Sequence, residues 1–278
     1  MNNEFITLDS GLRIHYKEFG EKGPTLLLVH GWNNDWSGFI PLIKYLEKKF
    51  RVIAIDLPGY GRSEALSHDY TVEKLSDALS EFIDKKEKKV DVLCALSMGS
   101  IIAADFAMRH SSKTKSVVLI GPPIIKYDWK FSQIYRDLMT FINKSDFLMS
   151  IGHKFMASWW YGHLTAKYVN MHNYDKGLVN RYGMEGRKKI RPRVLFQMGR
   201  AMYYYHLERT LKEISIPMLI ILGRYDKIVN LSEAVKIGKI RENIHTRWVE
   251  EAGHVVSLER PKEAAEHVFK FAETHKIL

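Results

Sequence analysis

The feature that most constrains this chain is a series of short apolar runs with almost no polar residue past their first positions. They are Thr25–Val29, Arg51–Ile55, the run from Lys89 to Leu96, Ser116–Ile120 and Ile216–Leu222. A strand with one wet face alternates polar and apolar residues. A continuous run needs cover on both faces, which parallel sheets flanked by helices provide. Between the runs lie segments of helical spacing: Trp36 to Lys49, Ile101 to Met108, and Thr71 to Lys85 with Val72, Leu75, Leu79, Phe82 and Ile83 on one side. This alternation predicts an α/β fold with a mostly parallel, doubly wound sheet. Ahead of it, Phe5–Leu8 and Leu12–Phe19 flank Asp9-Ser10-Gly11 and read as a hairpin. Behind it, Ser232–Gly238 reads as a helix, Ile244–Val249 as a last strand and Lys262–His275 as a closing helix.

The alternation stops after Gly121-Pro122-Pro123, and no strand pattern returns until about Leu211. The expected organisation is therefore a core domain of residues 1–121 and 212–278 with a helical cap, 122–211, inserted between two sheet strands. A chain of 278 residues is long enough for one large core with such an insertion. The cap is rich in aromatic residues and Met, with breaks near Asn170–Gly177 and Gly183–Pro192. Leu195, Met198, Met202 and Tyr205 keep helical spacing and predict one apolar face on the last cap helix. Its apolar residues include Phe155, Met156, Trp159, Trp160 and Tyr161; most of the cap's apolar residues are expected to pack it onto the sheet, and a few to line a pocket.

Composition narrows the class further. Apolar residues at 46% and charged residues at 27% describe a globular protein. The start carries no basic segment leading into an apolar one, no run approaches the roughly 20 apolar residues of a membrane span, and Cys94 is the single cysteine. These observations predict a cytoplasmic protein without an intrachain disulfide. No metal-ligand spacing and no Gly-rich phosphate loop is present, so neither a metal nor a cofactor is expected.

Chemistry enters at Ala95-Leu96-Ser97-Met98-Gly99, where an apolar strand turns into a helix. Small neighbours let the backbone bend sharply enough to present a serine hydroxyl. Upstream, Val29-His30-Gly31-Trp32 follows a strand, and Asp56-Leu57-Pro58-Gly59-Tyr60-Gly61-Arg62-Ser63 forms a turn-rich loop. Downstream, Leu222-Gly223-Arg224-Tyr225-Asp226 and Glu251-Ala252-Gly253-His254 each follow a strand. In this order the motifs resemble the α/β-hydrolase superfamily, over nearly the whole chain. The resemblance implies a Ser97–His254–Asp226 triad, with the backbone N–H groups of Trp32 and Met98 as oxyanion donors. It departs from the usual Gly-x-Ser-x-Gly in having Ala95 in place of the first glycine.

Each assignment has a rival. An acid after the preceding strand would compete with Asp226, but Gly121 to Ile125 offers no carboxylate. His30 competes with His254, yet it precedes the oxyanion residue and reads as structural. Asp56 and Ser63 are expected to hold their own loop, and Cys94 to be an inert core thiol. The expected activity is hydrolysis of a small to medium carboxylic ester through an acyl-enzyme, as in a carboxylesterase. Thioesterase, lactonase and perhydrolase activities stay open, as do a lyase of the menaquinone-pathway type and a ligand receptor on the same fold. Leu96 argues against carbon–carbon bond hydrolases, which usually carry Asn before the nucleophile, and Ser97 excludes enzymes with an aspartate nucleophile.

The net charge of +10 is concentrated in the cap, where fifteen Lys and Arg face six acids, a net +9; elsewhere twenty-seven bases face twenty-six acids. That placement favours an anionic substrate, an acidic carrier protein or an anionic surface. The carrier reading draws on a similarity to pimeloyl-carrier-protein methyl ester esterases in the His-Gly-Trp and Asp-Leu-Pro-Gly-x-Gly-Arg-Ser motifs. The Arg187–Arg193 run lacks any nucleic-acid reading module and is expected to be an exposed inter-helix segment.

Overall fold

The computed structural model describes residues 4–67, 69–124 and 130–278. Expectations resting on Met1–Asn3, Ile125, Lys126 and Asp128 lie outside the described residues. The apolar runs become a single sheet of eight strands: β1 (Glu4–Thr7), β2 (Arg13–Phe19), β3 (Thr25–Val29), β4 (Arg51–Ile55), β5 (Val90–Leu96), β6 (Thr114–Ile120), β7 (Met218–Gly223) and β8 (Ile244–Val249). Their order is β1-β2-β4-β3-β5-β6-β7-β8. β2 runs antiparallel to both β1 and β4, and every other pair is parallel.

The order carries a functional consequence. From β3 the chain moves outward to β4, then crosses back to place β5 on the other side of β3. At such a switch point the loops leaving neighbouring strands diverge and open a crevice at their C-terminal ends. The loops in question are those after β3, starting at His30, and after β5, starting at Ser97.

Helices cover both faces. α1 (Ile40–Leu46), α2 (Val72–Lys86) and α3 (Met98–Arg109) alternate with the early strands. Between β6 and β7 stand α4 (Lys130–Ile142), α5 (Asp146–Met156), α6 (Trp159–Thr165), α7 (Lys176–Leu178), α8 (Met184–Lys188), α9 (Pro192–Tyr204) and α10 (Leu207–Glu213). After β7 come α11 (Leu231–Ile237), α12 (Val256–Glu259) and α13 (Pro261–Thr274). α2 shows how local sequence sets an element. The Thr71 side chain accepts from Lys74 N at its start, Lys85 and Lys86 lie in its last turn against the helix dipole, and the predicted apolar stripe is buried. One core joins α2, α3 and the inserted α9 to one sheet face; a second, including Leu42, Ile43, Val268 and Phe271, lies on the other.

Three local expectations are corrected. The segment from Trp36 to Lys49 is not one helix: Asp35 caps a short 3-10 turn, Trp36–Phe39, and α1 begins with Pro41 in its first turn. α9 ends at Tyr204, so Tyr205 leaves the helical stripe; its hydroxyl donates to Asp105 on α3 at 3.3 Å, and the true last inserted helix is α10. The Arg187–Arg193 run is not uniformly exposed, because Arg187 and Ile190 are buried. The Arg187 Nε–H donates to Gly183 O at 3.2 Å, and burial lowers its guanidinium pKa. Of the insert's apolar residues, Phe155, Trp159 and Trp160 are each about half exposed.

Candidate active site

The site is built at the switch point. Ser97 sits between the last residue of β5 and the first of α3 with φ 52° and ψ −117°, a region that non-glycine residues rarely adopt. Such strain costs on the order of 1–3 kcal/mol and persists only where the surroundings enforce it. Here they do. Ser97 N donates to Ile120 O at the end of β6 at 2.9 Å, and the first turn of α3 lies hard against the end of β3. A Cβ added to Gly99 would stand 2.5 Å from Val29 O and 2.6 Å from His30 O. Only a glycine permits that approach. Ala95, by contrast, is an ordinary buried strand residue, which explains why the pattern tolerates it.

The hydroxyl presented by this turn meets a histidine and an acid from two later loops. Ser97 Oγ lies 2.8 Å from His254 Nε2, and His254 Nδ1 lies 2.8 Å from Asp226 Oδ2. A carboxylate can only accept, so Nδ1 carries the proton and donates it to Asp226, leaving Nε2 to accept from the serine hydroxyl. The second carboxylate oxygen of Asp226 accepts from Ile228 N at 2.8 Å and Val229 N at 3.0 Å. Burial alone would raise the Asp226 pKa. The facing His254 and the two N–H groups outweigh it and hold the carboxyl below its usual range. Asp226 and His254 are buried while Ser97 stays partly accessible, so the line opens outward at the serine.

The loop after β3 adjoins this line. A Cβ on Gly31 would lie 3.2 Å from Leu96 O and 3.3 Å from Ser97 Cβ, which places Trp32 beside the serine. Neither Trp32 N nor Met98 N donates to a group among the described residues, and Met98 N is the first N–H of α3, where no helical partner exists. The Trp32 indole donates to Leu195 O on α9 at 2.7 Å and fastens the loop to the insert. The insert also reaches the histidine, because Asn170 O accepts from His254 N at 2.8 Å.

The remaining candidates support the frame. His30 is buried; its Nδ1–H donates to Gly31 O at 2.9 Å, its Nε2 accepts from Leu57 N at 3.0 Å, and burial lowers its pKa. Asp56 accepts from His15 Nδ1, Trp36 N and Arg62 N, and the Ser63 hydroxyl donates to Asp56 O. Burial pushes the Cys94 thiol up to about 12. Among the described residues no three His, Cys, Asp or Glu side chains converge to hold a metal ion. Two partners of the site carry no local motif in the sequence: Asn170, acting through its carbonyl, and Leu195. Backbone acceptors leave no compositional trace.

With this geometry in hand, comparison with known proteins gives a consistent picture. Residues 24–261 match the family described as alpha/beta hydrolase fold. Human monoacylglycerol lipase ABHD6 is 22% identical over 262 residues, covering 89% of this chain and 75% of that protein. The pimeloyl-[acyl-carrier protein] methyl ester esterase of Methylococcus capsulatus is 26% identical, covering 91% of this chain and 96% of that one. Among solved structures, the esterase EaEST of Exiguobacterium antarcticum superposes with a TM-score of 0.79 at 18% identity, over 98% of this chain and 100% of that one. The chain belongs to the α/β-hydrolase-fold family.

Proposed function

We propose that the protein is a serine hydrolase that cleaves a small to medium carboxylic ester through an acyl-enzyme. The observation that carries this reading is the unbroken hydrogen-bonded line from the partly accessible Ser97 through His254 to Asp226. His254 Nε2 takes the hydroxyl proton as Ser97 Oγ attacks the ester carbonyl, and Asp226 stabilises the imidazolium that results. The carbonyl oxygen gains negative charge and turns to the N–H groups of Trp32 and Met98. Each such donor is worth about 3–4 kcal/mol of barrier. The proton then passes to the departing alcohol, and water repeats the sequence on the acyl-serine. The insert acts as a cap over this chemistry, with Tyr135 and Trp32 meeting at Gly199 on its inner side. The names of the relatives, a lipase and two esterases, support ester cleavage, and a cytoplasmic setting belongs to the same proposal.

A p-nitrophenyl ester series and a fluorophosphonate probe test this reading against Ser97→Ala. Turnover with labelling at Ser97, both abolished in the variant, is the expected outcome. A wild type that neither turns over any ester nor labels sinks the proposal. A carrier-bound ester is a second reading, favoured by the Methylococcus capsulatus relative and the basic cap. It predicts that salt slows hydrolysis of the carrier-bound substrate and leaves small neutral esters untouched.

A further inference from the structure

Of the seventeen large apolar side chains exposed among the described residues, twelve lie between Ile134 and Tyr204. They are arranged, not scattered. Ile134, Leu138 and Phe141 follow one another a helical turn apart on α4, and Phe147, Ile151 and Phe155 do so on α5. Phe147 is 71% exposed and Ile134 65%. The Phe155 ring meets Trp160 on α6 at 4.9 Å, and Trp159 and Leu164 continue the surface. The opposite stripes of the same helices, Met139 on α4 and Met149 and Met156 on α5, already supply the packing that holds them down. The outer stripes are not used in that packing, and exposed apolar side chains gathered on three successive helices mark a binding surface.

What covers it follows from charge. Lys144, Lys154 and Lys167 are exposed on the same stretch of chain, within an insert that carries fifteen bases against six acids. At the α4–α5 turn, next in sequence to Phe141 and Phe147, a cleft of about 570 Å³ is lined by Lys144, Arg193 and Arg200 against Asp69 and Asp146. A second copy of the same face would bring like charges together, which opposes self-association. Aromatic and aliphatic side chains interleaved with lysines instead match the boundary of a bilayer, where rings enter the headgroup region and cations meet lipid phosphates. Among the described residues no helix is long and apolar enough to cross a membrane. The surface also leads to the site: Tyr168 and Val169 are exposed immediately before Asn170, whose carbonyl accepts from His254 N.

We propose that the α4–α6 face docks on the surface of a bilayer carrying anionic lipids and brings the rim beside His254 against it. The proposal stands independently of the catalytic reading, because Ser97→Ala must bind as the wild type does. The test is co-sedimentation with phosphatidylcholine vesicles, with and without roughly a third of phosphatidylglycerol, at low and high salt. The wild type is expected to partition at least about tenfold better onto the anionic vesicles, to weaken with salt, and to shift its tryptophan emission to the blue. Phe147→Ser/Ile151→Ser should lose about tenfold or more, and Lys144→Glu/Lys154→Glu should lose the anionic preference, both with unchanged melting temperature and p-nitrophenyl acetate turnover. Absence of partitioning overturns the proposal, as does an apolar double variant that binds like the wild type. So does dimerisation without vesicles that the same variant abolishes, since the face then covers itself. Binding to an acidic protein but not to anionic vesicles overturns it too.

Discussion

Gly99→Ala is the perturbation that reads most directly on how the elbow is held. The added Cβ would lie 2.5 Å from Val29 O and 2.6 Å from His30 O. A carbon–oxygen contact relaxes to about 3.3 Å, so α3 and the end of β3 must separate by roughly 0.7–0.8 Å. Neither side yields easily. Val29 is fully buried and paired in parallel with Ile55 and Ala95, and His30 is held through both ring nitrogens. Overpacking of this kind costs about 2–3 kcal/mol, near the upper end of its usual range. In a chain of this size that lowers the melting temperature by roughly 4–12 °C. The same movement carries Trp32, two residues beyond His30, away from Ser97. A misplacement approaching 1 Å costs on the order of a hundredfold in rate. Thermal melts and the rate of fluorophosphonate labelling measure the two effects separately. A variant that melts and labels like the wild type would refute the close approach of α3 to β3. One that melts lower but labels at the wild-type rate would refute the dependence of the chemistry on where the Trp32 loop sits.

Three further outcomes follow from the buried groups. Asp226→Asn keeps the shape but presents an amide to His254 Nδ1, so the wrong tautomer is favoured and kcat/KM for an ester should fall by about 10³–10⁴. Because the Asp226 pKa is lowered in the folded protein, its contribution to stability is present above the ordinary carboxylate range and is lost as pH falls through the lower folded value. The stability gap between wild type and Asp226→Asn should therefore stay level above about pH 5 and narrow as pH falls below about 4 toward the lower folded value; a gap that does not change across the acid range contradicts the lowered pKa. Cys94, buried with its thiol pushed up to about 12, should react with a thiol reagent only after denaturation, at one equivalent per chain. Rapid modification of the native protein would show that β5 opens far more readily than its burial implies.

The sheet was legible in the chain because a strand covered on both faces must be apolar along its length, as β3 is past Thr25 and β7 is throughout. The candidates Ser97, Asp226 and His254 were legible because each follows a strand, in an order that one fold shares, and the fold brings them within hydrogen-bond reach. Trp32 and Met98 were proposed as oxyanion donors only through resemblance, since a backbone donor leaves no mark on residue type. In the insert, helical spacing alone does not separate a covered stripe from an exposed one. α5 carries two apolar stripes, Met149–Met156 and Phe147–Ile151–Phe155, and periodicity finds both without telling which one is covered. Burial of Arg187 escaped the same way, because a basic run reads as solvated until neighbouring helices close over one of its members.

The sequence by itself determined most secondary elements of the core, their winding and the chemical types at the site, because each depends on local pattern or on chain order. Only the tertiary structure decided the 2.8 Å line from serine to acid, the contact of Gly99 with the end of β3, and the outward apolar face of α4–α6. The physical reason is that distance and exposure belong to pairs of segments far apart in the chain, and the packing between them exists only once the whole chain has folded.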